Sequence, residues 1–115
     1  MAIPQIQSAY PKKRYKYGEF VVTLLTDVVS KDATEYTYLI AIISEGKTHP
    51  EVYITYQQVN VDGQTTYQVK VISEQDEHII NDDSNHMSES VFCDFALRGI
   101  EQMFGLTDET PVALH

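Results

Sequence analysis

Two stretches in the first half of the chain have apolar side chains at both odd and even positions. They are GEFVVTLLTDVV (18–29) and EYTYLIAII (35–43), and the polar segment SKDAT (30–34) separates them. Apolar residues on both faces are typical of a strand that is covered on both sides of its sheet. We therefore predict two strands in the interior of a sheet, joined by a turn.

The next two stretches alternate between apolar and polar residues. VYITYQQVNV (52–61) and QTTYQVKVI (64–72) are joined by Asp62-Gly63, and this dipeptide between alternating runs is the strongest short-range signal for a β-hairpin. A two-residue turn fixes the register, so that Tyr56 faces Val69. We expect one face of this hairpin to be buried and the other to lie mostly in solvent.

The last third of the chain has the periodicity of a helix. The segment HII (78–80) is a possible fifth strand, and from about Ser88 to Phe104 apolar residues recur at the i, i+3 and i+4 spacing of an amphipathic helix. Gly105 suits the left-handed residue that ends many helices. We expect the buried side of the helix to carry Phe92, Phe95, Ile100 and Met103.

Together these elements predict an α+β fold with two layers. An antiparallel meander of four to five strands carries one C-terminal amphipathic helix on one face. Residues 18–106 form the single domain, residues 1–17 an N-terminal arm and residues 107–115 a flexible tail. One helix of ~20 residues cannot cover both faces of such a sheet. The second face therefore needs the arm or a second copy of the protein, and we favour a homodimer.

Charge is unevenly distributed along the chain. The formal net charge is −9, yet residues 1–17 hold four Lys/Arg residues and no Asp or Glu. No Lys or Arg occurs between Lys70 and Arg98. Such an acidic surface repels nucleic acids and anionic lipids and attracts basic groups. We therefore expect a protein partner with a basic surface, and neither a membrane nor a nucleic acid.

The sequence also indicates a compartment. Cys93 is the single cysteine, so no intramolecular disulfide can form. The amino-terminal sequence has no apolar signal-peptide core, and no segment approaches the ~18 apolar residues of a membrane-spanning helix. We predict a soluble, cytoplasmic protein.

The arm contains the segment YPKKRYKY (10–17), in which tyrosines flank Lys12, Lys13, Arg14 and Lys16. Proteins bind single-stranded nucleic acids with lysines along the phosphates and aromatic rings against the bases. Four cations beside an acidic body bind a nucleic acid weakly, however. We expect these four residues to lie against acidic protein surface, of the same chain or of a second copy, and to assist dimer formation.

Few residues suggest metal binding or catalysis. His78, Asp82 and His86 follow one another at intervals of four residues, and imidazole and carboxylate groups ligate zinc, manganese or iron. The segment does not predict a helix that would bring them together, so a solvated acidic loop is the simpler interpretation. Cys93 lies in the apolar stripe of the helix and is expected in the core. No known nucleotide-binding, nucleophile or metalloprotease motif occurs, and we predict no cofactor.

These features favour an acidic, homodimeric, non-catalytic protein-interaction module. Two alternatives stay open. A small-ligand-binding protein or enzyme would have a pocket between helix and sheet, lined by Tyr36, Tyr38, Tyr56 and Phe95. An inhibitor whose acidic surface imitates a nucleic acid would block a basic partner. The first alternative requires polar groups to converge beneath the helix.

Overall fold

The computed structural model describes residues 3–32, 34–106 and 108–114. Within these residues the chain forms seven strands and one helix: β1 (Ile6–Tyr17), β2 (Phe20–Ser30), β3 (Tyr38–Ser44), β4 (Val52–Val61), β5 (Gln64–Ser73), β6 (Glu77–Asp83), α1 (Glu89–Phe104) and β7 (Val112–Leu114). All of these strands belong to one antiparallel sheet, in the order β6-β5-β4-β3-β2-β1-β7. The α+β class with one helix on an antiparallel sheet is confirmed.

The sheet has more strands than the predicted four to five. β1 comes from the segment predicted as an arm, and β7 from the segment predicted as a flexible tail. The register of β1 with β2 shifts at three places, which moves side chains between faces and removes any simple alternation from the sequence. β7 has only three residues, which pair with Arg14–Lys16 of β1. The predicted strand number is therefore wrong, and residues 112–114 belong to the sheet.

The β4–β5 hairpin has the predicted turn and register. Asp62 and Gly63 have φ angles of 51° and 79°, the positive values that a type I′ turn requires. Tyr56 lies opposite Val69, as expected. The prediction of this hairpin is confirmed, because the alternating pattern and the turn residues favour the same register.

The ends of α1 also follow the sequence. The hydroxyl of the N-cap residue Ser88 accepts a hydrogen bond from the Val91 N–H, and the C-cap residue Gly105 is left-handed with a φ of 66°. The Gly105 N–H donates to the carbonyl oxygen of Glu101. No helix in the described part of the chain is long and apolar enough to span a membrane.

The buried side of α1 is narrower than predicted. Phe92, Ala96 and Ile100 are fully buried against the sheet. Phe95 is only half-buried and Met103 is 42% exposed, so the prediction that both are buried is wrong. These two residues lie in a neighbouring row of the helix that faces the gap between α1 and the β6 edge. The core beneath the buried row contains Tyr17, Phe20, Val22, Leu24, Ile40, Ile42, Ile54, Tyr56 and Val69.

The second face of the sheet is covered by the chain itself. Leu39 and Thr55 on this face have no exposed surface, and Pro4 is buried as well. A cavity of about 260 Å³ is lined by residues of the amino terminus, the β2–β3 loop, β4 and β5. The amino terminus and this loop therefore lie over part of the face for which we expected either the arm or a second copy. Residues 3–5 belong to the predicted arm, so the structure favours the first of these two alternatives at this place.

Candidate functional site

The sheet ends in two edge strands that differ in length. β6 has seven residues and β7 has three. β6 pairs with β5 on one side, and its other side pairs with no strand in the described part of the chain. Main-chain N–H and C=O groups on that side are available to an additional strand.

Two adjacent isoleucines of β6 are in contact with solvent. Ile79 is 55% exposed and Ile80 is 41% exposed. The register between β6 and β5 is irregular between Val69 and Lys70, so Ile80 is an extra residue in β6. Ile79 pairs with Lys70 and shares its face of the sheet, whereas Ile80 lies on the side of the helix. The edge therefore presents apolar surface on both of its faces.

A groove of about 350 Å³ lies between α1 and the edge of the sheet. Its lining comprises Val71, Ile80, Phe95, Arg98, Gly99, Gln102 and Met103. Gly99 is in the interior of α1, where glycine costs about 0.5–1 kcal/mol relative to alanine. A Cβ atom at Gly99 would meet no neighbouring atom within 4 Å, so close packing does not require glycine here. The absence of a side chain at this position keeps the groove open. We call strand β6 and this groove together the β6 surface.

The β6 surface is acidic at both ends. Glu77 begins β6, and Asp82 and Asp83 end it. Lys70 Nζ lies 3.1 Å from Glu77 Oε1, so this lysine offsets the charge of one β6 carboxylate, and Arg98 lines the groove. The following residues 71–97 contain no Lys or Arg. Carboxylates thus bracket the exposed isoleucines.

The four basic residues of the predicted arm lie on β1, which four strands separate from β6. Lys12 Nζ lies 2.7 Å from Glu89 Oε2, and Lys16 Nζ lies 3.0 Å from Glu45 Oε2. A hydrogen bond and charge attraction from Glu89 raise the pKa of Lys12. The other two basic residues stand between these lysines on the same strand. Two of the four basic residues of β1 therefore form ion pairs with carboxylates of the same chain.

The three candidate metal ligands do not converge. His78 lies on β6 beside Asp76, with 3.9 Å between Nε2 and Oδ2. Asp82 accepts a hydrogen bond from the Gln68 side chain on β5, and His86 lies against tyrosine rings. The residues that the structure describes contain no group of three His, Cys, Asp or Glu side chains able to hold a metal ion.

Tyr38, Tyr56 and Tyr67 form a row of rings across β3, β4 and β5. Neighbouring ring centroids are 5.7 and 5.8 Å apart, and the His86 ring lies 5.1 Å from that of Tyr67. The Tyr56 hydroxyl accepts a hydrogen bond of 2.6 Å from the Met87 N–H. The rings of this row fill the space near the start of α1.

The four residues of the predicted pocket consequently lie in three places. Tyr38 and Tyr56 belong to the row of rings, Phe95 lines the groove, and Tyr36 lines the cavity on the second face. The Tyr17 hydroxyl, beneath the last turns of α1, donates a hydrogen bond of 3.3 Å to Glu101. The hydroxyls of Tyr17 and Tyr56 near the helix thus have partners of their own.

Cys93 is buried on α1, and its predicted position in the core is confirmed. Its Sγ lies 3.9 Å from the Tyr15 hydroxyl. Burial raises the pKa of the thiol above its ordinary value. Because the thiolate is the nucleophile, this environment makes the sulfur unreactive at neutral pH.

The groove is the feature that sequence reasoning missed. Its signals are present as a glycine inside a helix and as two adjacent isoleucines in a polar segment. Neither signal indicates a groove until α1 is known to dock beside β6. No family model, curated protein or solved structure matches this chain, so the geometry of the site is the basis for assigning a function.

Proposed function

We propose that this protein is a non-catalytic interaction module that binds a basic protein partner at the β6 surface. One observation carries the proposal: two exposed isoleucines lie between carboxylates on an edge strand whose outer side pairs with no strand among the described residues. Exposed apolar residues on an open edge favour association with another chain. The carboxylates select for positive charge in that chain and accelerate its approach.

The environment of the helix supports a binding surface over a catalytic pocket. The rows beneath α1 are filled by apolar side chains. The hydroxyls of Tyr17 and Tyr56 are engaged with Glu101 and the Met87 N–H. Of the four side chains expected to form a ligand pocket, Tyr38 and Tyr56 stack on each other, whereas Tyr36 and Phe95 lie in two other places. The groove is lined by four apolar side chains together with Arg98 and Gln102, and its volume of about 350 Å³ suits one side chain of a partner.

Two further parts of the proposal concern assembly and location. A homodimer stays a prediction, and its contact is no longer expected on the second face of the sheet, which the chain covers itself. Sedimentation velocity at micromolar concentration tests it. A cytoplasmic location also stays a prediction, based on the single cysteine.

The experiment is a comparison of two neutralised variants that lose the same charge. In one variant Glu77→Gln, Asp82→Asn and Asp83→Asn remove the carboxylates of β6. In the control Glu19→Gln, Glu35→Gln and Asp108→Asn remove three exposed carboxylates elsewhere. The probe is a flexible lysine-rich peptide, and its affinity is measured by fluorescence anisotropy at low salt.

We expect the β6 variant to bind the probe about tenfold more weakly and the control to stay near wild type. In nuclear magnetic resonance spectra of the wild type, the shifts that the probe causes are expected in β6 and α1. Equal weakening of both variants would contradict the proposal. That result would instead favour the alternative in which the whole acidic surface imitates a nucleic acid.

A further inference from the structure

We propose that an extended segment of the partner adds to β6 as a further strand of the sheet and places one large apolar side chain in the groove over Gly99. The partner segment then has the pattern basic–apolar–basic. This inference depends on the proposed function, since it specifies the chemistry of the partner at the same surface.

The open edge supplies the main-chain part of the interaction. β6 contains seven residues and none of them is proline or lysine, the residues with which edge strands commonly prevent pairing. Peptides that add to such an edge gain affinity from main-chain hydrogen bonds, and pockets for alternate side chains supply specificity. The groove beside β6 is such a pocket.

The pattern of β6 determines the pattern of its partner. Glu77 stands at one end and Asp82 with Asp83 at the other, with the isoleucines between them. Glu77 and Asp82 are five residue steps apart, a distance of about 17 Å in extended chain. Cross-strand pairs of opposite charge are favourable and pairs of like charge are not. Lys or Arg at the two ends of the segment and an apolar residue between them therefore complement β6.

Gly99 provides the space for the apolar side chain. Glycine is unfavourable inside a helix, and no neighbouring atom comes within 4 Å of the position that its Cβ would take. Phe95 and Met103, one turn away on either side, give the groove its apolar walls. A leucine-sized side chain from an added strand would lie against these walls and against Ile80.

A second copy of this protein fits the edge poorly. Antiparallel pairing of two β6 strands centred on Ile80 would bring Glu77 of one copy opposite Asp83 of the other, which is a like-charge pair. The basic strand β1 contains Pro11 and three shifts of register, and β7 occupies part of its outer side. The occupant is therefore a basic segment of another protein.

The first test separates strand addition from simple charge attraction. The probe is a fluorescein-labelled peptide with the sequence Lys-Thr-Val-Leu-Thr-Lys, and its affinity is measured by fluorescence anisotropy. A second peptide has the same side chains and N-methylated amides, which cannot donate main-chain hydrogen bonds. We expect it to bind about tenfold or more weakly. Equal affinity of both peptides would overturn strand addition and leave the proposed function intact.

The second test blocks the groove without disturbing the core. Gly99→Leu fills the open space, and Ser90→Leu adds the same side chain at an exposed helix position. We expect Gly99→Leu to weaken the leucine peptide about tenfold and to leave a peptide with alanine in place of leucine unchanged. Ser90→Leu should change neither affinity. Circular dichroism checks that both variants keep their helix.

The outcomes distinguish the two proposals. If the wild-type protein binds neither peptide, the proposed function fails. If it binds but Gly99→Leu has no effect, only the role of the groove is overturned. A wild-type dimer in sedimentation velocity that Gly99→Leu dissociates would show that a second copy occupies the groove, against this inference.

Discussion

The two edges of the sheet are protected very differently. The β1 edge has four basic residues, a proline and three shifts of register, and β7 pairs with part of it. Proline, lysine and bulges are the features with which proteins prevent the pairing of edge strands. The β6 edge has one shift of register, and no strand within residues 3–32, 34–106 and 108–114 covers it. It retains two exposed isoleucines.

This difference indicates where association is prevented and where it is allowed. Both edges carry charge, so charge alone does not distinguish them. Exposed apolar residues occur at both edges, as Ile79 and Ile80 on β6 and as Val112 and Leu114 on β7. What distinguishes the edges is that β6 has seven residues and one shift of register, whereas β1 has three shifts and β7 has three residues. The longer edge strand, next to a groove, is better suited to accept another strand.

The largest effect on the free energy of unfolding is expected for a residue on the buried side of α1, and a smaller one for a residue on the side that faces the groove. Phe92 is fully buried and packs near the row of tyrosines, whereas Phe95 faces the groove beside β6. We expect Phe92→Ala to lower the free energy of unfolding by about 3–5 kcal/mol. Phe95→Ala should lower the free energy of unfolding by less than about half as much, because part of the Phe95 side chain is already in water. Urea titration of both variants measures the two losses, and similar losses would contradict the open groove.

A smaller effect is expected when the protected edge is opened. Ending the chain after Pro111 removes β7, whose three residues are all exposed. Each main-chain hydrogen bond contributes about 0.5–1.5 kcal/mol to stability, and the conformational entropy lost when the β7 residues become ordered opposes this gain. Removing β7 should therefore lower the free energy of unfolding by about 1 kcal/mol. Hydrogen exchange should become faster at residues 14–16, which pair with β7. Binding of the peptide probe at β6 should not change, and a change there would show that the two edges are coupled.

The smallest expected effect concerns the buried phenols Tyr17 and Tyr56, which both lie in the core beneath α1. Burial, and for Tyr17 the nearby Glu101 carboxylate, raises the pKa of Tyr17 and Tyr56. A group with a raised pKa in the folded state stabilises the fold below its unfolded pKa and loses this contribution as the pH rises. Stability should therefore fall above about pH 10, and the raised pKa of buried Cys93 adds a decline that begins above about pH 8.5. Urea titrations across this range measure the decline, which Tyr17→Phe should reduce; an unchanged decline in that variant would contradict the assignment to Tyr17.

The hairpin and the helix could be predicted from sequence because local and tertiary preferences agree there. Asp62-Gly63 allows positive φ angles, and the alternating residues beside it place the apolar side chains on the face that α1 covers. Ser88 and Gly105 likewise cap α1 through local hydrogen bonds. Such features need little information from distant parts of the chain.

β1, β7 and the covered second face could not be predicted in this way. β1 is a strand because it pairs with β2, and its shifts of register hide the alternation. The burial of Thr55 and Leu39 depends on where the amino terminus and the β2–β3 loop lie. The groove depends on which row of α1 faces β6, which the helical period alone does not determine. The pairing of β1 with β2 is local, since only residues 18 and 19 join them, and there the shifts of register are what hides the strand. The other features depend on contacts between residues that are distant in sequence.

The position of α1 after the first six strands has a consequence for synthesis of the chain. The sheet face that contains Phe20, Val22 and Leu24 is covered by α1 in the folded protein. At about 5–20 residues per second, Phe104 is added roughly 2–6 seconds after Ser73, the last residue of β5. During this interval the nascent strands expose an apolar face with no helix to cover it. Chaperone binding to this protein on the ribosome should therefore end when the helix has emerged.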